Sequence, residues 1–311
     1  PPARPDCMKP ASLTIGRRCL TWGQRTYVMG ILNLTPDSFS GDGLLTSPRM
    51  AETGGEMEGV RLALAQAKHF LEAGADFLDV GGESTRPGSQ PVSAEEEMSR
   101  VVPLIRAIAA ELPDVLISVD TYKAAVADEA LKAGAHIIND VWGLRADPQL
   151  ASLAARFNAP VILMHNRSNP ANVEMRERLG GSYQAAEYQN LLEDVKSELM
   201  ESVAIARAAG IPDDHLILDP GIGFGKTVEQ NLELLNRLGE IRALGFPVLL
   251  GPSRKSFIGY TLNLPPDQRL EGTAAASAVG IARGADILRV HDVEYMARVA
   301  RMTDAIVRRK T

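Results

Sequence analysis

Cysteine is scarce in this chain: Cys7 and Cys19 are the only two in 311 residues, and both lie near the N-terminus. Two thiols cannot build a disulfide framework or a metal cluster, so a reducing, cytoplasmic setting is the simplest expectation. Long apolar runs are missing as well. None approaches the roughly 18 residues of a membrane-spanning helix, and the proline-rich start PPARPDCMKP has no signal-peptide core. Residues 1–12 are therefore expected to form a flexible lead-in to one domain over residues 13–311. Nor is there a basic surplus. The formal net charge of −6 argues against a general nucleic-acid surface and confines functional cations to the lining of a site.

Two nucleotide-binding loops are also absent, although one stretch suggests them. LILDPGIGFGKT, from Leu216 to Thr227, ends in Gly-Lys-Thr. A P-loop needs a glycine five positions before Gly225, where this chain has Pro220, which offers no N–H to a phosphate. The dinucleotide fingerprint fails too, because Lys226 stands where its third glycine belongs.

What the chain does have is alternation. Apolar strand candidates begin at Tyr27, Ala75, Val115, Ala135, Pro160, His215, Phe246 and Asp286, each apolar at nearly every position, as a strand covered on both faces requires. Between them lie amphipathic stretches such as Met98, Val101, Val102, Ile105 and Ile108, or Leu192, Val195, Leu199 and Val203. Eight such units predict an α/β protein with a single (β/α)8 TIM barrel. A doubly wound sheet is disfavoured because NLTPDSFS follows the first strand in place of a glycine fingerprint. SLTIGRRCLTWGQRTY, before the barrel, is expected to be a short β-hairpin closing its floor. Two long connections, from Thr35 to about Gly59 and from Asn166 to about Ala186, are candidate lids or binding loops, the first with the better claim.

Strand C-terminal ends converge on the active site in such a barrel. Here they carry Asn33, Glu83, Asp120, Asn139 with Asp140, His165, Asp219, Ser253 with Lys255, and Arg289 with His291. Asp120, Asn139 and Asp219 suit a flat, nitrogen-rich heterocycle, and Lys255, Arg289 and His291 suit an anion.

The segments MGILNLTPDSFSGDG, GADFLDVGGESTRPGS, ISVDTYKAAVA, INDV, LMH, LDPGIGFGKT, GPSRKSFIG and EGTAAASAVGIARGADILRVHDV resemble, in order, the dihydropteroate synthase family of pterin-binding barrels, over nearly all of the chain after about Leu13. The resemblance implies a homodimeric transferase of folate biosynthesis, with Mg²⁺ as cofactor, small-molecule substrates and neither nucleic-acid nor membrane partners. It joins 6-hydroxymethyl-7,8-dihydropterin diphosphate to p-aminobenzoate and releases pyrophosphate; sulfonamides compete with p-aminobenzoate. It further implies a pterin pocket of Asp120, Asn139, Asp219 and Lys255, and a diphosphate site of Asn33, Arg289 and His291, with Asn33 also contacting the metal. On the same resemblance, Asp120, Asp219, Lys255, Arg289 and His291 are expected to carry the catalytic work. The resemblance also implies that Asp37 and Phe39 in the first loop, Thr85, Arg86 and Pro87 in the second, and Phe224 and Ser253 complete the p-aminobenzoate pocket. Lys226 and Thr227 are as well explained by surface capping of the next helix as by a ligand.

Two segments depart from the family pattern: LLTSPRMAETGGEMEG lengthens the first loop, and NRSNP follows LMH. A corrinoid-dependent methyltransferase barrel would share the pterin contacts but has no diphosphate to hold with STRPG, SRK and RVHD together. A non-catalytic pterin-binding paralogue would lack an anion-site or loop residue, and none is missing.

Overall fold

The computed structural model of the chain describes residues 10–34 and 55–308. Asp37, Phe39, most of the first long connection and most of the expected lead-in lie outside them. A two-stranded hairpin comes first, β1 (Leu13–Ile15) with β2 (Arg18–Leu20), turning at Gly16, whose φ of +57° favours glycine. The barrel strands are β3 (Tyr27–Asn33), β4 (Phe77–Gly81), β5 (Leu116–Asp120), β6 (Ile137–Asp140) and β7 (Val161–Met164). After β7 comes an antiparallel pair, β8 (Val173–Arg176) and β9 (Gly180–Tyr183), within the connection that sequence left without strands. β10 (Leu216–Asp219), β11 (Leu249–Leu250) and β12 (Ile287–Val290) complete the sheet.

All the pairings in the eight-stranded sheet are parallel, in the order β10-β7-β6-β5-β4-β3-β12-β11. A parallel bridge from Leu218 to Val248 joins its two ends. The seventh-strand signal in FPVLLGPS thus shrinks to two ladder residues and one bridge. Helices follow the expected faces: Leu192, Val195, Leu199 and Val203 are fully buried, as are Val101, Ile105 and Ile108. Two connections hold helix pairs instead of single helices, 228–236 with 238–242 and 256–262 with 270–282. Among the described residues no helix is long and apolar enough to cross a membrane.

Side chains alternate along a strand, so every second residue points into the barrel. The interior floor is apolar: Met29, Phe77, Leu116, Ile137, Ile162, Ile217, Leu249 and Ile287 pack together with Leu13, Leu20 and Trp22 from the hairpin side. Trp22, Tyr27 and Phe77 meet edge to face, with centroids 5.6 and 6.1 Å apart. Two residues further along, the same inward register reads Ile31, Asp79, Ser118, Asn139, Met164, Asp219, Gly251 and Arg289, five of the eight polar. The barrel is therefore hydrophobic at its floor and polar at its mouth. Because Phe77 is completely buried, Phe77→Ala is expected to lower the unfolding free energy by about 3–5 kcal/mol. Urea denaturation measures this, and a loss under about 1 kcal/mol would contradict the packed floor.

Candidate active site

Above the floor sits a guanidinium. Arg289 Nε donates to Asp79 Oδ2 at 2.5 Å, and its Nη2 donates to Asp120 Oδ2 at 2.5 Å. Asp79 Oδ2 also accepts from Asn139 Nδ2 at 3.0 Å. Burial works to lower the Arg289 pKa, but Asp79 and Asp120 raise it above its ordinary value. Burial pushes Asp120 upward against the opposing pull of Arg289. Two sides of the guanidinium are thus committed to carboxylates, leaving Nη1 to reach an anion. Because Asn139 spends its N–H on Asp79, its carbonyl oxygen is left to accept from a ligand.

The loop after β10 is shaped by glycines that cannot be replaced cheaply. At Gly221 (φ +69°) a Cβ would lie 1.8 Å from the His165 carbonyl oxygen, and at Gly223 (φ +86°) 2.8 Å from Lys255 Cδ. Within this tight turn Gly221 N–H donates to Asp219 Oδ1 at 2.8 Å. Lys255 donates to the Ile222 carbonyl and sits 4.7 Å above the Phe224 ring. Burial lowers its pKa to about 8, with Asp219 holding it up.

Lys226 corrects the surface expectation. It is buried, and its ammonium donates to the carbonyls of Gly221 (2.9 Å) and Phe224 (3.1 Å) and lies 3.0 Å from His165 Nδ1. Burial lowers it to about 7, while three acceptors matched to three N–H groups favour the charged form. Burial and Lys226 together lower His165 to about 4, so the neutral ring accepts at Nδ1. Its Nε2 lies 3.2 Å from Glu198 Oε2, close but off the hydrogen-bond line. The cap is Thr227 alone, which forms a reciprocal capping box with Gln230.

One cavity of about 530 Å³ opens at this end of the barrel. Asn33, Thr85, Arg86, Pro87, Asp120, Phe224, Ser253, Lys255, Arg289 and His291 line it. Asn139 and Asp219 are not on its wall: Asn139 shares Asp79 with Arg289, which is, and burial raises the Asp219 pKa against the opposing charge of Lys255, also on the wall. Ser253 Oγ accepts from the His291 backbone N–H at 3.2 Å and lies 3.0 Å from its Nδ1. With the hydroxyl donating to Nδ1, the ring proton belongs on Nε2. Burial, then Arg86, Arg254, Arg289 and Lys255, hold the His291 pKa well below its ordinary value. Several cations facing one neutral imidazole form a field suited to an anion.

Other polar strand ends serve structure. Asp140 accepts from the Trp142 and Leu144 N–H groups at 2.8 and 2.6 Å. Glu83 lines the cavity but pairs with Lys123, which also holds Glu97 at 2.6 Å. Sequence reasoning missed Asp79, which lies inside an apolar run, not at its exit. Its inward register with Phe77 is the signal that could have found it.

The sequence pattern of the family described as pterin binding enzyme matches residues 29–291. The dihydropteroate synthase of Clostridium beijerinckii is 50% identical over 298 residues, covering 96% of this chain and 100% of that protein. The chain belongs to the dihydropteroate synthase family. A dihydropteroate synthase structure from Clostridium difficile, determined in the presence of pteroic acid, superposes with a TM-score of 0.80 at 45% identity and covers 93% of this chain and 99% of that one. The Xanthomonas albilineans dihydropteroate synthase with 4-aminobenzoic acid matches with a TM-score of 0.80 at 39% identity, covering 93% of this chain and 95% of that one.

Asp79 is fully buried and serves two donors. Asp79→Ala is expected to cost about 3–5 kcal/mol of stability, because it strands a buried charge. Asp79→Asn keeps an acceptor for both donors and should cost less than half as much by urea denaturation. Equal losses would mean that charge alone, without the hydrogen bonds, holds Arg289.

Proposed function

We propose that this chain condenses 6-hydroxymethyl-7,8-dihydropterin diphosphate with p-aminobenzoate, yielding 7,8-dihydropteroate and pyrophosphate. The observation that supports this most is the sorting of charge around one cavity: carboxylates and a carboxamide in the barrel interior, cations and an imidazole at the wall, and an aromatic ring beside them. Asp219 has one oxygen held by Gly221 N–H and offers the other to adjacent N–H groups of the pterin. Asn139 accepts through its carbonyl oxygen, and Lys255 donates to the pterin ring. Arg289 Nη1 and the His291 ring N–H face the diphosphate.

The methylene C–O bond breaks with its electron pair leaving on pyrophosphate, whose growing charge Arg289 and His291 stabilise. Asp120 and Asp219 stabilise the cationic pterin left behind. The aniline nitrogen then forms the C–N bond with its lone pair and sheds a proton. No side chain acts as nucleophile, which leaves Cys19, exposed on the floor hairpin, without a catalytic task.

Mg²⁺ is proposed to enter with the diphosphate. Among the described residues no cluster of three or more His, Cys, Asp or Glu could hold a resident ion. Asn33 fits a substrate-borne one: a Cβ at Gly81 would lie 3.5 Å from Asn33 Oδ1 and 3.7 Å from Asp120 Oδ2, so the missing side chain leaves space where two oxygens converge. An ion there supplies charge neutralisation for the departing diphosphate. The cytoplasmic setting rests on cysteine usage alone.

A homodimer is supported by Tyr295, Met302 and Ile306, which are 52%, 64% and 65% exposed and share one face of the helix Val293–Val307. Sedimentation velocity at micromolar concentration is expected to show a dimer that Met302→Lys weakens. A monomer in the parent protein would reject this pairing.

Incubation with both substrates and Mg²⁺ is expected to form dihydropteroate and pyrophosphate; no product would refute the assignment. His291 adds a proton signature. Its ring is neutral in the free protein at pH 7, and an arriving diphosphate raises its pKa. Binding then takes up a proton, and affinity grows as the pH falls toward the ligand-free value. Calorimetry near pH 6.5 in buffers of different ionisation enthalpy should detect up to about one proton of uptake, reduced in His291→Gln. Equal uptake in both proteins would remove His291 from the diphosphate site.

A further inference from the structure

The antiparallel pair β8–β9 is fastened to three neighbours. β8 is largely exposed, whereas every residue of β9 is half-buried. On one side the Tyr260 hydroxyl donates to the Gly180 carbonyl (3.3 Å) and lies 3.1 Å from Ser182 Oγ, from which it can accept, and Arg269 Nη2 donates to the Leu179 carbonyl at 2.7 Å. On the second-loop side the Tyr183 hydroxyl donates to the Thr85 carbonyl at 2.8 Å. Gly181 lies so close to Pro87 that a Cβ there would sit 3.2 Å from both its Cβ and its carbonyl oxygen. Toward the barrel, the Tyr183 ring stacks on Phe224, with centroids 5.9 Å apart and planes 27° from parallel.

Leu179, Gly180, Gly181 and Tyr183 line the same cavity as Pro87 and Phe224. Building on the function proposed above, we infer that β9 is a wall of the subsite for the aromatic amine and that Tyr183 is a specificity-determining residue there. The tyrosine extends the apolar surface of Phe224. Its hydroxyl is spent on Thr85, so it presents a ring and not a competing hydrogen bond. The glycines keep the wall flat: a Cβ at Gly181 would also lie 2.7 Å from Met175 sulfur. The heterocycle's directional partners, Asn139 and Asp219, sit in the barrel interior, whereas β9 stands at the rim beside the second loop. An aryl ring, which needs apolar surface more than oriented donors, is the substrate part that suits this rim.

Steady-state kinetics of Tyr183→Ala, Tyr183→Leu and Tyr183→Phe test the wall. Tyr183→Ala is expected to raise the KM for p-aminobenzoate roughly tenfold, with the KM for dihydropterin diphosphate changed by less than about twofold. Tyr183→Phe should restore most of the loss. Tyr183→Leu fills the space without a ring and gives the same comparison should alanine loosen the hairpin. A hairpin that only braces the fold would lower thermal stability and affect both substrates alike. If the parent protein makes dihydropteroate and these variants leave the p-aminobenzoate KM unchanged, or move both KM values together, the wall assignment alone falls. A parent protein that makes no dihydropteroate overturns the function and the wall with it.

Discussion

A guanidinium held between two carboxylates inside the barrel is the constraint on which the rest of the site depends. TIM barrels ordinarily fill their interior with layers of branched apolar side chains. Here that filling stops at the floor, and the next layer carries Asp79, Asn139, Asp219 and Arg289. Each of these groups alone is expensive to bury, so they are arranged to satisfy one another. Arg289 neutralises part of the charge of Asp79 and Asp120, and Asp79 orients Asn139. The barrel mouth is consequently preorganised without a ligand, and the apolar floor with its hairpin supplies the packing that the polar layer gives up.

The same economy appears beneath the glycine loop. A chain that must pass within van der Waals distance of His165, Lys255 and the backbone at Arg167–Ser168 can do so only with glycines at positive φ. That close approach leaves carbonyls facing inward, and Lys226 satisfies those of Gly221 and Phe224. Its position fixes the backbone on both sides of Phe224, and thus the ring against which Tyr183 stacks. What reads in sequence as a phosphate-binding tripeptide is a strut under a pocket wall.

The barrel strands were legible because parallel strands covered on both faces are apolar at nearly every position, and that signal survives even in β11, where the ladder shortens to two residues. Strand-end residues such as Asn33, Lys255 and His291 were legible because the exit of a barrel strand is where the chain meets the cavity. Asp79 escaped the same rule: it lies in the middle of a five-residue strand whose neighbours are all buried, and only its inward parity betrays it. Lys226 escaped because a Gly-Lys-Thr after a turn has the composition of an exposed helix start. The β8–β9 pair escaped for another reason. GGSY has little intrinsic strand preference, and its conformation comes from Tyr260, Arg269, Thr85 and Phe224, all distant in sequence.

These differences follow the demands of the proposed chemistry. A fused heterocycle is discriminated by donors and acceptors at fixed angles, and rigid strands hold such groups to within a fraction of an ångström. The groups proposed for it therefore come from β5, β6 and β10, with Lys255 from the turn that leaves β11. An aryl ring asks chiefly for apolar surface of the right width, which loops can supply if they are fastened well. Thr85, Pro87, Tyr183 and Phe224 come from three connections: Thr85 and Phe224 each meet Tyr183, and Pro87 lies against Gly181 on the same strand. Because their mutual contacts, and not the barrel, fix the width of that rim, its shape can change by substitution in a loop while the buried Arg289 assembly stays intact. Selectivity toward the amine and its mimics is thereby separable from recognition of the pterin, and the separation is built into which part of the chain carries each group.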